Sequence, residues 1–281
     1  MTKNELLSSF LTVERIKKGG QKTVYKATSA LWGTVALKIV PDTNDKRVLQ
    51  EIKMLKSLDI ENIPKIYDSG IVFDEAINEN VLFIVEQFIP GTSLRDWLQS
   101  GNKATLNAGY TLLHSLLSTE MLLEQKSILH RDINPNNIIL GDDRIIYLID
   151  FGIAKNLCGP SLTQTAAIHG PFTPGYAPHE QIANMKLKQD VRTDLFQIGT
   201  TVYEACTGKN PFIDTGDNVF EIVAKTATFQ PTPLNLPGDT NGLFSAVVRM
   251  LMSKNQSQRP KSAKDAFRYL ETIKPTLSFG G

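Results

Sequence analysis

A chain of 281 residues, 41% of them hydrophobic, is long enough to bury one large core or two modest ones. Its 30 basic and 29 acidic residues nearly cancel, so it has no basic footprint for nucleic acid. Two cysteines, Cys158 and Cys206, make neither a disulfide framework nor a metal cluster, and a reducing cytoplasm is the expected setting. The opening Met1-Thr2-Lys3-Asn4-Glu5-Leu6-Leu7 lacks the apolar core of a signal peptide. No run reaches the roughly 18–20 apolar residues of a membrane span.

Short apolar runs at 10–16, 23–27 and 33–40, broken by glycines and small polar clusters, predict antiparallel strands. The spacing then changes to helical over 46–58, where Val48, Leu49, Ile52, Leu55 and Leu58 form one stripe. Two more strands are expected at 65–73 and 81–88, with 74–80 as their polar hairpin loop. From 92 onward the pattern is mainly helical, over 93–99, 105–126, 193–207, 217–226, 241–252 and 261–273. There is no internal repeat and no low-complexity segment.

Residues 130–137 read His-Arg-Asp-Ile-Asn-Pro-Asn-Asn, and Asp150-Phe151-Gly152 follows further along. An Asp that can accept a proton, an Asn five positions on and a second Asp heading a glycine turn are the parts of a phosphoryl-transfer site. Asp150 brings a carboxylate for Mg²⁺, which takes one or two carboxylates together with phosphate oxygens. The two motifs at this spacing resemble those of the eukaryotic-type, or Hanks-type, Ser/Thr protein kinases, whose pattern is H-R-D-x-x-x-x-N followed by D-F-G. The resemblance covers roughly residues 10–273. It implies an α+β, bilobal fold: an N-terminal lobe over 1–87, with a small antiparallel sheet and one large helix, a mainly helical C-terminal lobe over 88–275, and a tail over 276–281. Short connections without large inserts suggest a bacterial kinase.

The resemblance assigns roles residue by residue. Asp132 is implied as the base, with Asn137 and Asp150 as metal ligands for Mg²⁺, Mn²⁺ being the alternative. Lys38, in Val35-Ala36-Leu37-Lys38, matches the family's phosphate-binding lysine, and Glu51 matches its counter-charge. Solvated surface positions are the usual fate of such residues, but Lys38 closes an otherwise apolar strand and Glu51 lies next to the apolar stripe, which favours the pairing. Ile16, Gly19, Val24, Ala36 and Ile139 are implied as contacts for ATP, with Glu86 at the gate of a rear pocket and the backbone of Gln87 and Ile89 at the adenine edge. The glycine-rich loop is degraded. In Lys17-Lys18-Gly19-Gly20-Gln21-Lys22-Thr23-Val24 only Gly19 stays in register, and glycine is what lets backbone N–H groups approach phosphate oxygens. Asn134 stands where Ser/Thr kinases usually carry a lysine that neutralises the transferring phosphoryl group. Losing one such contact costs roughly 10²–10³ in rate. His130 and Phe151 are expected to pack.

The later half bears on the substrate. The segment from Asp150 to Glu180 ends in Gly170-Pro171-Phe172-Thr173-Pro174-Gly175-Tyr176-Ala177-Pro178-His179-Glu180, similar to the family's G-T-P-x-Y-x-A-P-E, with Pro178 and His179 standing where Ala and Pro are expected. Arg259 matches the arginine that pairs with Glu180, and Asp194 the aspartate that holds the catalytic loop from beneath. Thr173 implies Ser/Thr specificity. Ser161, Thr163 and Thr165 are candidate phosphorylation sites, and Arg131 is the group that would meet such a phosphate. Three readings follow: a Mg²⁺- and ATP-dependent kinase of protein substrates, a pseudokinase or weakly active scaffold suggested by Lys17, Lys22 and Asn134, and a small-molecule kinase, which the long substrate segment disfavours. Pathway and oligomeric state are not written in the sequence.

Overall fold

The computed structural model of the chain describes residues 1–18, 22–41, 52–151 and 172–279. Two compact units are present, the first holding Met1–Pro90 and the second Gly91–Phe151 and residues 172–279.

The first unit opens with a helix that hydrophobic spacing did not announce, α1 (Lys3–Ser8). Six residues are too few to be helical alone. Thr2 and Glu5 stabilise its start as a capping box, the Thr2 hydroxyl accepting from the Glu5 N–H at 3.2 Å and Glu5 accepting from the Thr2 N–H at 2.8 Å. Leu6 is buried in the sheet's core, and Lys3 reaches Asp74 at 2.7 Å. Five strands follow: β1 (Thr12–Lys18), β2 (Thr23–Ser29), β3 (Gly33–Pro41), β4 (Ile66–Asp74) and β5 (Glu79–Gln87). They pair antiparallel in the order β1-β2-β3-β5-β4. The first strand starts at Thr12, not Phe10, because Phe10 turns in to pack beside the core. The β4–β5 hairpin is closed by Asp74, which accepts from the Ala76 N–H at 3.1 Å, and by Asn78 at φ 55°. Of the helix expected over 46–58, residues 52–56 are described and helical (α2), and Ile52, Leu55 and Leu58 are buried as the stripe requires. Val48 and Leu49 lie outside the described residues.

Alternation along β3 separates two environments. Val35, Leu37 and Ile39 enter a core with Ala27, Val72, Val81, Phe83 and Val85. Ala36 and Lys38 point to the opposite face. A slip of one residue would drive the Lys38 ammonium into that core, so burial fixes the register.

The second unit begins with β6 (Gly91–Ser93), α3 (Leu94–Gln99) and α4 (Leu106–Gln125). Ser93 and Thr105 cap the two helices. With β7 (Ile138–Gly141) and β8 (Ile146–Leu148), β6 makes a three-stranded sheet that strands of three or four residues are too short to announce by alternation. Beyond it lie α5 (His179–Ile182), α6 (Val191–Thr207), α7 (Val219–Thr228), α8 (Leu243–Leu251) and α9 (Ala263–Ile273). Asp190, Asn218 and Ser262 cap α6, α7 and α9. Buried along nearly its whole length, α6 packs against α4 and α8. Gly199 permits the close approach to α8, since a Cβ there would meet the Leu251 Cβ at 2.8 Å. Among the described residues no helix is long and apolar enough to cross a membrane.

Glu120 on α4 is fully buried, and neither carboxyl oxygen has a hydrogen-bond partner among the described residues. Burial first, then the charges of Asp194 and Glu124, raise its pKa well above the ordinary value of 4.5. The folded state therefore holds this proton more tightly than the unfolded chain does. Its contribution to stability is complete below pH 4.5 and is lost as pH rises through the folded value. Glu120→Gln removes that titration. Melting curves of the two proteins across a pH series are expected to diverge as pH rises, the wild type losing more; parallel curves would contradict the buried proton.

Candidate active site

In the first unit, Val24, Ala36, Lys38 and Glu86 share the face of the sheet opposite the core. Val24 stands across from Lys38, Lys38 across from Ile84, and Ala36 across from Glu86. Diagonal neighbours on one face lie within reach of long side chains, and the Lys38 ammonium makes an ion pair with the Glu86 carboxylate. Both residues are buried, at 6% and 8% exposure. Glu86, expected at the gate of a rear pocket, thus pairs with the lysine. Glu51, the partner implied by resemblance, lies outside the described residues, as does Gly19. Ile16 is half exposed, at a bulge where β1 shifts register against β2. The Gln87 N–H donates to the Lys65 carbonyl at 2.8 Å, so that donor is committed within this unit, and Ile89 follows the end of β5 half-buried.

In the second unit the loop ahead of β7 gathers the proposed chemistry around Asp132. Thr173 donates its hydroxyl to Oδ1 of Asp132 at 2.6 Å. Asn137 donates through Nδ2 to Oδ2 at 2.9 Å and to the Asp132 carbonyl at 2.8 Å. The Asn137 amide thus spends its nitrogen on Asp132, and its oxygen is the atom suited to a hard cation. The Ile149 N–H donates to the Asn137 carbonyl at 2.9 Å, which ties Asn137 to the residue preceding Asp150. Asn137 and Asp150 make an all-oxygen donor set with one carboxylate. That fits Mg²⁺, which draws its remaining ligands from water and phosphate. Ile139 follows on β7, half-buried.

His130 packs, as expected. It is fully buried, with its ring 4.7 Å from that of Phe151. Its Nδ1 accepts from the Asp132 N–H at 3.2 Å, which leaves Nε2 as the protonated nitrogen facing the Ile149 carbonyl at 3.1 Å.

Beneath the loop, Asp194 accepts from the N–H groups of His130 and Arg131, both at 2.7 Å. Arg131 has φ 63° and Asp150 φ 62°, a left-handed conformation costing a side-chain-bearing residue about 1–2 kcal/mol. At Arg131 the strain is held by partners on both sides of the residue. Its carbonyl accepts from Gln181 Nε2 at 2.7 Å and Gln197 Nε2 at 3.1 Å, while Gln197 Oε1 accepts from the Ile133 N–H at 2.7 Å. Neither glutamine belongs to a sequence motif. Gln197 lies one helical turn after Asp194, a polar pair on a buried helix, and that was its signal. Arg131 Nε is buried and has no hydrogen-bond partner among the described residues. Ser161, Thr163 and Thr165 lie outside the described residues.

The anchor expected between Glu180 and Arg259 is present. The guanidinium meets the carboxylate at 2.5 Å, and both side chains are buried. Thr193 donates to the same carboxylate at 3.2 Å, and Arg259 also donates to the carbonyls of Arg192 and Ser253 at 2.9 and 2.8 Å. Nearer Thr173, the Tyr176 hydroxyl donates to Glu204 and accepts from Arg95 at 2.6 Å.

Residues 10–269 match the protein kinase domain family. A probable serine/threonine-protein kinase PknB of Bifidobacterium longum is 29% identical over 262 residues, 89% of this chain and 37% of that protein. The serine/threonine-protein kinase PknL of Mycobacterium tuberculosis is 29% identical over 220 residues, 76% of this chain and 53% of that protein. A probable serine/threonine-protein kinase of Clostridium acetobutylicum is 29% identical over 269 residues, 93% of this chain and 39% of that protein. The chain thus spans between 37% and 53% of the length of these relatives.

Removing one partner of a buried ion pair strands the other, at a cost of about 3–5 kcal/mol, whereas replacing both is far milder. Arg259→Met should therefore lower the unfolding free energy by about that amount in a denaturant titration. Adding Glu180→Leu to it should recover much of the loss, and a double variant no better than the single one would show that the pair is not the cause.

Proposed function

The chain belongs to the protein kinase family, and from that premise we propose that it transfers the γ-phosphate of ATP to serine and threonine hydroxyls of proteins, its own included. The observation that carries this reading is the Asp132 carboxylate, held on one oxygen by Thr173 and on the other by Asn137. Hydrogen-bonded on both oxygens, it is pre-aimed and retains lone pairs for an incoming hydroxyl. That hydroxyl gives its proton to Asp132 as its oxygen bonds to the γ-phosphorus, and the bond to the bridging oxygen of ADP breaks. Most of the rate in such a reaction comes from positioning and electrostatics.

In this reading Lys38 binds the phosphates, with Glu86 and Glu51 as its counter-charges. Ile16, Val24, Ala36 and Ile139 offer apolar surface to the adenine, and the Gln87 carbonyl and Ile89 N–H serve its polar edge. Gly19 leaves room for a phosphate oxygen. Asn137 and Asp150 would hold Mg²⁺ or Mn²⁺, which neutralises charge on the phosphates when bound. Thr173 supports Ser/Thr specificity, since its hydroxyl already occupies one face of the base. The Arg131 Nε, buried and without a partner among the described residues, suits an anion, and a phosphate on Ser161, Thr163 or Thr165 would supply one. The setting is the cytoplasm, where ATP and Mg²⁺ are available.

Transfer of labelled phosphate from ATP and Mg²⁺ to the protein itself and to a generic basic protein tests this. Asp132→Asn is expected to lower transfer by roughly 10²–10⁴ while ATP affinity is retained. Wild-type protein that binds ATP and transfers nothing would make the chain a nucleotide-binding scaffold. Mapping the labelled sites is expected to find phosphate on at least one of Ser161, Thr163 and Thr165, and Arg131→Ala should abolish any activation that this phosphate brings; active protein unmodified at all three sites would remove the regulatory role.

A further inference from the structure

We propose that Asn134 is a positioning residue that locks the Asp132 carboxylate and Asn137 at a fixed separation, an inference that rests on the kinase reading above. Asn134 is 2% exposed and caps the short 3₁₀ turn Pro135–Asn137. Its amide works from both ends. Oδ1 accepts from the Asn136 N–H at 3.0 Å and from the Asn136 side-chain amide at 3.1 Å. Nδ2 donates to the Asp132 carbonyl at 2.9 Å and to Asp132 Oδ1 at 3.0 Å. The orientation is forced: a backbone N–H can only donate, so the amide oxygen must face Asn136, and the amide nitrogen is left to face oxygens that only accept.

Asn134 and Asn137 thereby grip Asp132 in the same way. Each donates to the backbone carbonyl and to one carboxylate oxygen, Asn134 to Oδ1 and Asn137 to Oδ2. Turning the carboxylate breaks one of these bonds, and tilting the residue breaks the pair at its carbonyl. Because Asn134 also caps the turn that ends in Asn137, one side chain sets the position of both the base and the proposed metal ligand. A lysine here could not do this, since an ammonium has three donors and no acceptor for the Asn136 N–H. Asn134 therefore supplies alignment at the position where a lysine would supply charge.

Asn134→Ser separates the two ends of the amide. Serine caps a turn as asparagine does, but its side chain is too short to reach Asp132. It is expected to melt close to wild type and keep its KM for ATP, with kcat lower by roughly 10²-fold, the scale of a small misplacement of a reacting group. Asn134→Asp, which keeps the cap and sets an acceptor against Asp132, should lose at least as much. A readout without turnover is the methyl resonance of Thr173, whose hydroxyl rests on the same carboxylate. In both variants that resonance should shift or broaden, while the methyl of the remote Thr228 stays put. Wild-type kcat in Asn134→Ser, or an unmoved Thr173 methyl, would overturn the assignment. If the wild type transfers no phosphate, the kinase proposal fails, and the Thr173 signal still decides whether Asn134 positions Asp132.

Discussion

Two backbone N–H groups donated to one buried carboxylate organise the second unit. Asp194 on α6 accepts from His130 and Arg131, and this holds Arg131 in a left-handed conformation that it would not adopt alone. That backbone reversal sets the direction in which Asp132 leaves the loop. Gln197, one turn further along α6, repeats the device on Ile133 and on the Arg131 carbonyl. The loop is therefore fixed to a helix that is buried along nearly its whole length. Burial raises the pKa of both Asp194 and its neighbour Glu120, and at Asp194 the two N–H donors work against that rise.

Chemistry is layered outward from this foundation. His130 takes its tautomer from the Asp132 N–H and passes the constraint to the Ile149 carbonyl. Ile149 returns it through its own N–H to Asn137. Thr173, Asn134 and Asn137 then fix the Asp132 carboxylate. No single bond in this series is worth more than about 1–3 kcal/mol. Their joint effect is geometric, because each group is held at two or more points. A carboxylate so constrained loses little freedom when a partner group arrives, which is what the proposed phosphoryl transfer would reward.

The first unit solves a different problem, keeping a charged lysine on an apolar sheet. Strand alternation places Lys38 away from the core, and Glu86 on the adjacent strand meets it. A buried ion pair of this kind adds little net stability, but losing either member leaves an uncompensated charge. Placing a carboxylate on β5 ties the lysine to the sheet itself.

Much of this was legible in the sequence. Period-two runs marked all five strands of the first sheet to within a few residues, and period-3.6 runs marked the long helices. The contact of Thr173 with Asp132 and the Glu180–Arg259 pair were expected from the resemblance, which matches residue types at set places in the chain, and the fold brings both pairs together. What the sequence did not show was of two kinds. Elements too short for periodicity escaped: α1, announced only by the Thr2 and Glu5 capping pair, and the three small strands β6, β7 and β8. Partnerships across long stretches of chain escaped as well, among them Glu86 with Lys38, Gln181 and Gln197 with Arg131, and the buried Glu120 beside Asp194. Asn134 shows the difference most directly. As a letter it was a missing lysine, and only in the fold is it an amide whose one end is claimed by a backbone N–H and whose other end is thereby turned onto Asp132. Local pattern determines which residues can form a strand, a helix or a motif, whereas tertiary packing decides which polar groups lose water, and a group that has lost water must take the partner that the fold brings to it.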